Sequence, residues 1–467
     1  MSVRLLCGSF VVGLVLVPFA AAVPAADAQP DEFVQQIVKL IGDNDREFRA
    51  AGLEQVRTAA HGTAYTQLFA AQLPKLHPEG QIALLDALAD RGDGTARPAV
   101  LDLFGSSSDK GVRAAAIAAL GRLGTSEDLP LLIKTIADGS KYERVAARQA
   151  LNQMSGDSIN KSLAAAYQSA PAKAKSALIE VLATRRAADE LPIFVTATAD
   201  DNVWVRRAGM AALAQIGRPE QIAQMLPGVL KAEKGGERDD AEKSVVTVCD
   251  RIENEDQRAT AVIEALNTVD VAQRDQLLSL VGRVGGSKLL HFVAGIATGP
   301  DSARRQLGID ALSKWPDASV ADKLFEIANR ATDPAERDEA FRGYVKVSAA
   351  RDHRSDKERL DRLKQAMALA KTPEEVSLVI NRVRTAYDID ALRFVFPYVD
   401  QPQFSQIACE TIVEIAHHRE VRDANKAEVD KILDKVIATS KDPVVVERAN
   451  RYKRGETWDR RSSRVRR

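Results

Sequence analysis

Apolar side chains recur along this chain with the spacing of an α-helix. In residues 109–124 (DKGVRAAAIAALGRLG) they stand at i, i+4, i+7, i+8 and i+11, which places them on one side of a helix. These side chains are Val112, Ala116, Ala119, Leu120 and Leu123. A polar residue precedes the segment and glycine ends it, which is typical of a capped helix.

The same segment returns at a fixed interval. Its central leucine occurs at positions 120, 151, 182 and 213, each 31 residues after the last. A second amphipathic segment, such as residues 126–138, precedes each copy. An isolated pair of such helices cannot bury both apolar faces, so the pairs must stack. We therefore predict an all-α fold, an α/α superhelix of about thirteen helical hairpins over residues 31–454, with charged loops at 231–243 and 351–359.

The repeat resembles HEAT repeats, which are helical hairpins of similar length with a Val-Arg pair early in the second helix. Residues 201–217 (DNVWVRRAGMAALAQIG) resemble the subgroup named after phycobilisome lyases. Residues 304–347 resemble exported HEAT-repeat proteins of planctomycete bacteria. This resemblance implies a solenoid that binds protein partners along its concave face. Such planctomycete proteins are often fused to a jelly-roll domain resembling 3-keto-disaccharide hydrolases. No comparable strand-rich stretch occurs here, which leaves an accessory subunit of a carbohydrate-processing enzyme as the alternative function.

The N-terminal residues have the pattern of a signal peptide. Arg4 precedes an apolar core at 5–19, and the Ala-x-Ala sequence of residues 26–28 follows. We expect cleavage before Gln29, with the alanines at 20–22 as the second choice. The apolar run is shorter than the roughly 20 residues that cross a bilayer, so an uncleaved anchor is the less favoured alternative. The protein is therefore expected to be periplasmic or secreted, with residues 1–28 removed.

Charge limits the partners that the chain can take. Its 65 basic and 65 acidic residues balance, which argues against nucleic acid as the main partner. Residues 451–467 are the exception, with eight basic against two acidic side chains. We expect residues 455–467 to form a basic disordered tail that could contact a polyanion. Cys249 and Cys409 lie in separate helical segments and are predicted to be buried thiols without a disulfide.

Basic side chains also repeat with the helices, seven residues before each central leucine and four after a helix cap. Arg113, for example, follows Asp109 by four residues. These residues could form an internal ladder in which the cap pairs with the arginine, as HEAT repeats characteristically do. Alternatively, they could form a basic groove for an anionic partner. The candidate binding surface consists of Arg113, Arg144, Lys175, Arg206, the adjacent Arg207 and the aromatic Trp204.

Neither a cofactor site nor a catalytic motif is evident. His417 and His418 stand near Glu420, but adjacent helical residues point some 100° apart and cannot easily share a metal ion. Phosphate-binding loops, hydrolase elbows and paired metal-ligand motifs are absent from the sequence. We therefore expect no metal, no cofactor and no enzymatic activity. The function that the sequence favours is a non-catalytic scaffold for a protein partner of unknown identity.

We predict that the mature protein begins at Gln29. The tripartite pattern of residues 1–28 is the physical basis, because the translocation machinery removes such a segment after export. Intact-mass measurement of the protein from its native cells checks the prediction. A mass that includes Met1 would contradict it.

Overall fold

The computed structural model describes residues 32–59, 61–156 and 158–458. The expected signal peptide lies outside these residues, and so does most of the basic tail. Within the described residues all regular structure is helical, with 28 α-helices and several short 3-10 turns. The predicted all-α, α/α-superhelical fold class is confirmed. The chain divides into two compact units.

The first unit contains residues up to 128 together with 140–154. Its helices are α1 (Glu32–Ile41), α2 (Arg46–Thr58), α3 (Thr63–Ala70), α4 (Pro78–Arg91), α5 (Arg97–Ser106), α6 (Lys110–Leu123) and α8 (Lys141–Gln153). The second helix of each pair packs on the second helix of the next, in the order α2, α4, α6 and α8. These second helices form one layer of the unit.

The second unit contains residues 129–139 and the chain from 155 onward. Its first helices are α7 (Leu129–Asp138), α9 (Ser158–Ser169), α11 (Leu191–Thr198), α13 (Ile222–Lys231), α15 (Glu255–Leu266), α18 (Ser287–Ala297), α20 (Ala321–Arg330), α22 (Asp356–Leu369), α24 (Ile389–Val395) and α27 (Lys426–Thr439). Its second helices are α10 (Ala172–Thr184), α12 (Val203–Ile216), α14 (Gly236–Cys249), α16 (Val271–Gln276) continued by α17 (Leu278–Val284), α19 (Ser302–Ser313), α21 (Pro334–Ser348), α23 (Pro373–Val383), α25 (Ser405–Ala416) and α28 (Pro443–Lys453). A short helix, α26 (Arg419–Ala424), precedes α27. The second helices again pack on one another in chain order.

Side-chain caps fix where several of the second helices begin. Asp109 accepts the N–H of Val112 at 2.9 Å, and Asn202 accepts the N–H of Trp204 at 3.0 Å. Such caps satisfy backbone donors that have no partner inside the helix. The starts of α6 and α12 are therefore set by their own sequences, as the capping pattern predicts.

Both predicted charged loops are shorter in the structure. Residues 231–243 were expected to be a loop, but α14 already begins at Gly236. Ala241, Val245 and Val248 form a buried apolar side there, and their burial outweighs the cost of two glycines at the helix start. Likewise the 351–359 loop ends at Ser355, which caps α22 in a reciprocal capping box.

The buried positions are those of the apolar repeat. Val112, Ala116 and Leu120 are fully buried in the first unit. Both described cysteines are buried and free, as predicted. Burial raises the pKa of Cys249 to about 12 and that of Cys409 to about 11, so both thiols are inert at neutral pH. None of the helices in the described ranges combines the length and apolar character that crossing a bilayer requires.

Glycine allows a very close approach between two second helices. A Cβ atom at Gly282 of α17 would overlap the carbonyl oxygen of Ala311 in α19 and lie 2.6 Å from its carbonyl carbon. The neighbouring atoms are backbone, so they cannot move aside as a flexible side chain would. Stacking at this point therefore depends on a residue without a side chain.

We expect Gly282→Ala to destabilise the protein by about 1–3 kcal/mol, because the added methyl forces two helix backbones apart. The matched control is Gly295→Ala in α18, where nothing lies within 4 Å of the added Cβ. This control should be neutral or stabilising by about 1 kcal/mol, since alanine favours helix over glycine. Denaturant unfolding of both variants measures the difference. Equal stability of the two variants would show that the α17–α19 contact is loose.

Candidate partner-binding surface

Arg206, the fourth residue of α12, ties its helix to the next second helix. Its Nε and Nη2 donate to the carboxylate of Glu237 in α14 at 2.8 and 3.0 Å. Its Nη1 donates to the carbonyls of Asp200 and Asp201 at 3.1 and 2.9 Å. With 6% of its surface exposed, Arg206 lies too deep for a macromolecular partner, and we remove it from the predicted binding surface.

The same tie recurs between other second helices. Arg113 pairs with Glu143 at 2.7 Å in the first unit, while Arg305 pairs with Glu336 and Arg337 with Glu375 in the second. Arg113 also donates to the carbonyl of Phe104. We call this series the arginine–glutamate ladder. Its arginines are bound within the protein, so they act in stacking and leave no basic groove along these described positions.

The acidic partner differs from the one expected. The sequence predicts that Asp109 pairs with Arg113, but the Asp109 carboxylate accepts the N–H of Val112, and Arg113 reaches Glu143 in the following second helix. Sequence reasoning missed these glutamates. Their signal is present, since Glu143 stands three residues after the cap Ser140 in a capping box.

The carboxylate of Glu237 illustrates how the ladder is held. Burial alone would raise its pKa, but hydrogen bonds from the Arg206 guanidinium and the Glu233 N–H outweigh burial and lower the pKa. The ionised form is therefore the one that the fold stabilises. Arg206 and Glu237 both also bond to backbone groups, which satisfies a buried ion pair that would otherwise be costly.

The remaining residues of the predicted binding surface differ in how accessible their side chains are to a partner. Arg144 is half-buried and engaged within the protein. The ammonium of Lys175 lies 5.3 Å from the ring centre of Tyr167. Arg207 pairs with Asp240 at 2.6 Å on the surface, and Trp204 is 65% exposed. Trp204 and Arg207 are thus the two predicted residues that a partner can reach most readily.

A second series of hydrogen bonds joins the C-terminal ends of these helices, and the sequence did not reveal it. Arg91 donates to the carbonyls of Val56 and Ala59, both at 2.8 Å, at the end of the preceding second helix. In the second unit, Lys346 donates to the carbonyl of Ser313 at 2.9 Å. Cations suit the C-terminal ends of helices, where carbonyls lack intrahelical partners. Each of these bonds joins a second helix to the end of the one before it.

An apolar cleft lies between α12 and α14. Its volume is about 250 Å³, and its apolar lining comes from Met210, Ala211, Gly228, Ala232 and Ala241. The small side chains create the space, and the Arg207–Asp240 ion pair and the Arg206–Glu237 tie also line it. Small-molecule sites are typically about 300–1,000 Å³, so this cleft suits a single apolar side chain better than a cofactor.

A polar cleft of about 310 Å³ lies on the other side of α14, against α17 and α19. The buried carboxylate of Glu242 accepts hydrogen bonds from Ser279 at 2.8 Å and Arg283 at 2.7 Å. Lys314 donates to Ser279 at 2.6 Å and to Asp310 at 2.9 Å. These groups satisfy one another, so Ser279 is not an activated nucleophile but part of a structural network.

The histidine pair has structural partners of its own. His417 Nδ1 lies 2.9 Å from the hydroxyl of Tyr452, and the ring of His418 stacks on Tyr387 with centres 3.5 Å apart. Burial lowers the pKa of His418, and the neighbouring His417 and Arg351 lower it further, which favours neutral imidazole. Across the described ranges, His, Cys, Asp and Glu side chains form no group that could hold a metal ion.

Comparison with known proteins agrees with this architecture. The sequence matches the family model described as HEAT repeats over residues 66–152. No curated protein sequence matches the chain. With its stacked helical pairs, the described part of the chain has an all-α, α/α-superhelical fold, and residues 66–152 are similar to HEAT repeats.

Solved karyopherin structures share the fold. The chain is similar to Kap121p bound to the SUMO protease Ulp1p, with a TM-score of 0.51 and 12% identity, covering 91% of this chain and 57% of that one. It is also similar to Kap121p bound to Nup53p, with a TM-score of 0.50 and 12% identity, covering 91% of this chain and 53% of that one. The chain thus spans about half the length of these karyopherins. At this identity the likeness concerns the fold alone.

We predict that Arg206→Gln costs about 3–5 kcal/mol of stability, because it leaves the buried Glu237 carboxylate without its counterion. The matched control is Arg207→Gln, which removes the adjacent but exposed pair with Asp240 and should cost about 0.2–1 kcal/mol. Denaturant unfolding at neutral pH measures both.

The same pair of variants also tests how the stability of the Arg206–Glu237 pair depends on pH. The folded-state pKa of Glu237 is lowered, so its contribution is fully present above the ordinary glutamate value and is lost as pH falls through the lowered value. The stability gap between wild type and Arg206→Gln should therefore narrow in acid. A gap that stays constant would show that the loss at Arg206 is one of packing.

Proposed function

We propose that this protein is an exported, non-catalytic scaffold that binds protein partners on the second-helix layer of its HEAT-repeat units. The observation that carries the proposal is the apolar cleft between α12 and α14. It lies on the same layer as the exposed Trp204, and Arg207 is at its edge. Apolar side-chain pockets with nearby tryptophan and arginine are typical of the energetic centres of protein interfaces.

The rigidity of the cleft favours recognition. The Arg206–Glu237 tie joins α12 to α14 directly beside it, so the walls are held in place before a partner arrives. Binding to a preformed site avoids the entropy cost of ordering it. In the two Kap121p structures with this fold Kap121p is bound to a protein partner, which supports a protein as the class of ligand.

The proposed function has two further parts, which are that the protein is exported and that it is not a catalyst. The support for export is the signal-peptide pattern of residues 1–28, which would place the mature protein in the periplasm or outside the cell. The support for a non-catalytic role is that polar groups of the two clefts beside α14 are engaged in structural hydrogen bonds and ion pairs.

The test compares two tryptophan substitutions at exposed positions of α12. Ala211→Trp places an indole at the apolar cleft, whereas Gln215→Trp places it one turn further along the helix, outside the cleft lining. Each immobilised protein is exposed to cell-envelope extract, and captured proteins are identified by mass spectrometry. We expect a protein that wild type and Gln215→Trp retain, and that Ala211→Trp retains roughly tenfold less, as loss of a central contact requires.

Other outcomes favour other functions. Capture of glycans without protein would support an accessory role in carbohydrate processing. Capture of a polyanion that disappears when residues 459–467 are deleted would support binding through the basic tail. Equal capture by all three proteins would exclude the cleft as the docking position.

A further inference from the structure

Four basic side chains stand at the C-terminal ends of four successive second helices. Arg283 lies in the last turn of α17, Lys314 caps α19, Lys346 lies in the last turn of α21, and Arg382 lies in the last turn of α23. These helices pack on one another in this order. We call the four residues the cationic stripe.

The stripe is only partly neutralised by its own surroundings. Glu242 and Asp239 both accept from Arg283, and Asp310 accepts from Lys314. Lys346 is partly exposed and donates to the carbonyl of Ser313, and the described residues supply no second acceptor for its ammonium. Among the described residues none pairs with the guanidinium of Arg382. Four cations thus face three carboxylates, and the excess lies at α21 and α23.

The electrostatics of Lys346 agree with this excess. Partial burial lowers the pKa of Lys346, and the charges of Arg283, Lys314 and Arg382 lower it further, against an opposing contribution from Asp310. The charged groups that act most on Lys346 are thus three cations and one carboxylate. A helix C-terminus explains why basic residues occur here, but it does not explain why several of them destabilise the charge of another.

We propose that the cationic stripe binds an acidic segment of a partner protein, which lies in an extended conformation across α17, α19, α21 and α23. Neighbouring helices pack about 8–10 Å apart. An extended chain advances about 3.3 Å per residue, so carboxylates at every third position match this spacing. The inference rests on the proposed scaffold function and deepens it by assigning a second recognition element on the same layer.

The interspersed carboxylates select against denser polyanions. Duplex DNA carries one phosphate charge per roughly 1.7 Å of its axis, so it would place phosphates against Asp239 and Asp310 as well as against the cations. A peptide can place single carboxylates at the cations and neutral residues between them. The stripe therefore fits an acidic protein segment better than a nucleic acid or a sulfated polysaccharide.

The test measures binding of a fluorescent peptide with glutamate at every third position and neutral residues between. The mature protein should bind it, and the same peptide with glutamine at those positions should not bind. Lys346→Gln combined with Arg382→Gln should weaken binding roughly tenfold and flatten its dependence on salt. Arg382→Gln alone should give part of this loss, and since its side chain has no partner among the described residues, the fold is retained.

The matched control is Arg342→Gln, which removes an exposed cation on α21 that already pairs with Asp338. It should leave peptide binding nearly unchanged. Equal loss in the control and the double variant would overturn the stripe, as would failure of the acidic peptide to bind. Tighter binding of heparin or duplex DNA than of the peptide, lost in the double variant, would overturn the choice of a protein ligand.

The proposal for the cationic stripe and the proposal for the apolar cleft can be refuted independently. Ala211→Trp should leave the acidic peptide bound, because the cleft between α12 and α14 does not include the stripe. If a captured partner survives Lys346→Gln with Arg382→Gln but not Ala211→Trp, the scaffold proposal stands and the stripe does not. If the acidic peptide binds the stripe while no partner depends on the cleft, only the role of the cleft is refuted.

Discussion

Stacking of each second helix on the next is the contact on which the two units depend. A single helical pair buries only part of its apolar surface, and the remainder is covered by the pair that follows. The approach is close where side chains are small, as at Gly282 against Ala311 and Gly343 against Ser313. Stability in such a fold is a sum of neighbouring interfaces, so each layer boundary must be specified separately.

The arginine–glutamate ladder supplies much of this specification. Apolar stripes alone would allow neighbouring helices to slide by a turn with little change in buried area. A guanidinium that must meet one carboxylate and two carbonyls, as Arg206 does, has a single acceptable position. The ladder therefore fixes register, and the same bonds withdraw its arginines from partners.

The charge distribution of the second-helix layer follows from these ties. Several basic residues near the start of the second helices pair with a glutamate of the next helix, and several near their ends donate hydrogen bonds to carbonyls or carboxylates. The groups that remain available to a partner are the apolar cleft beside Arg207, the exposed Trp204, and the incompletely neutralised Lys346 and Arg382. An overall neutral chain can thus carry local sites of different character.

The sequence by itself determined the helices, their pairing and the fold class, because apolar period and caps are local properties of the chain. It also placed Cys249 and Cys409 in the interior. It failed at Gly236, where a charged, glycine-containing segment that looked like a loop is held in a helix by burial of Ala241 and Val245. Local propensity was overruled there by packing.

Only the tertiary structure decided which charges are free. Arg113 finds its partner 30 residues away at Glu143, and Arg337 finds Glu375 across 38 residues, so the separation changes with the connecting loop. The sequence shows which residues can pair, but the pair that forms depends on how two helices are placed by everything between them. For the same reason the cleft between α12 and α14 and the ties to helix-end carbonyls could not be read from the chain. They are properties of surfaces that meet only after stacking.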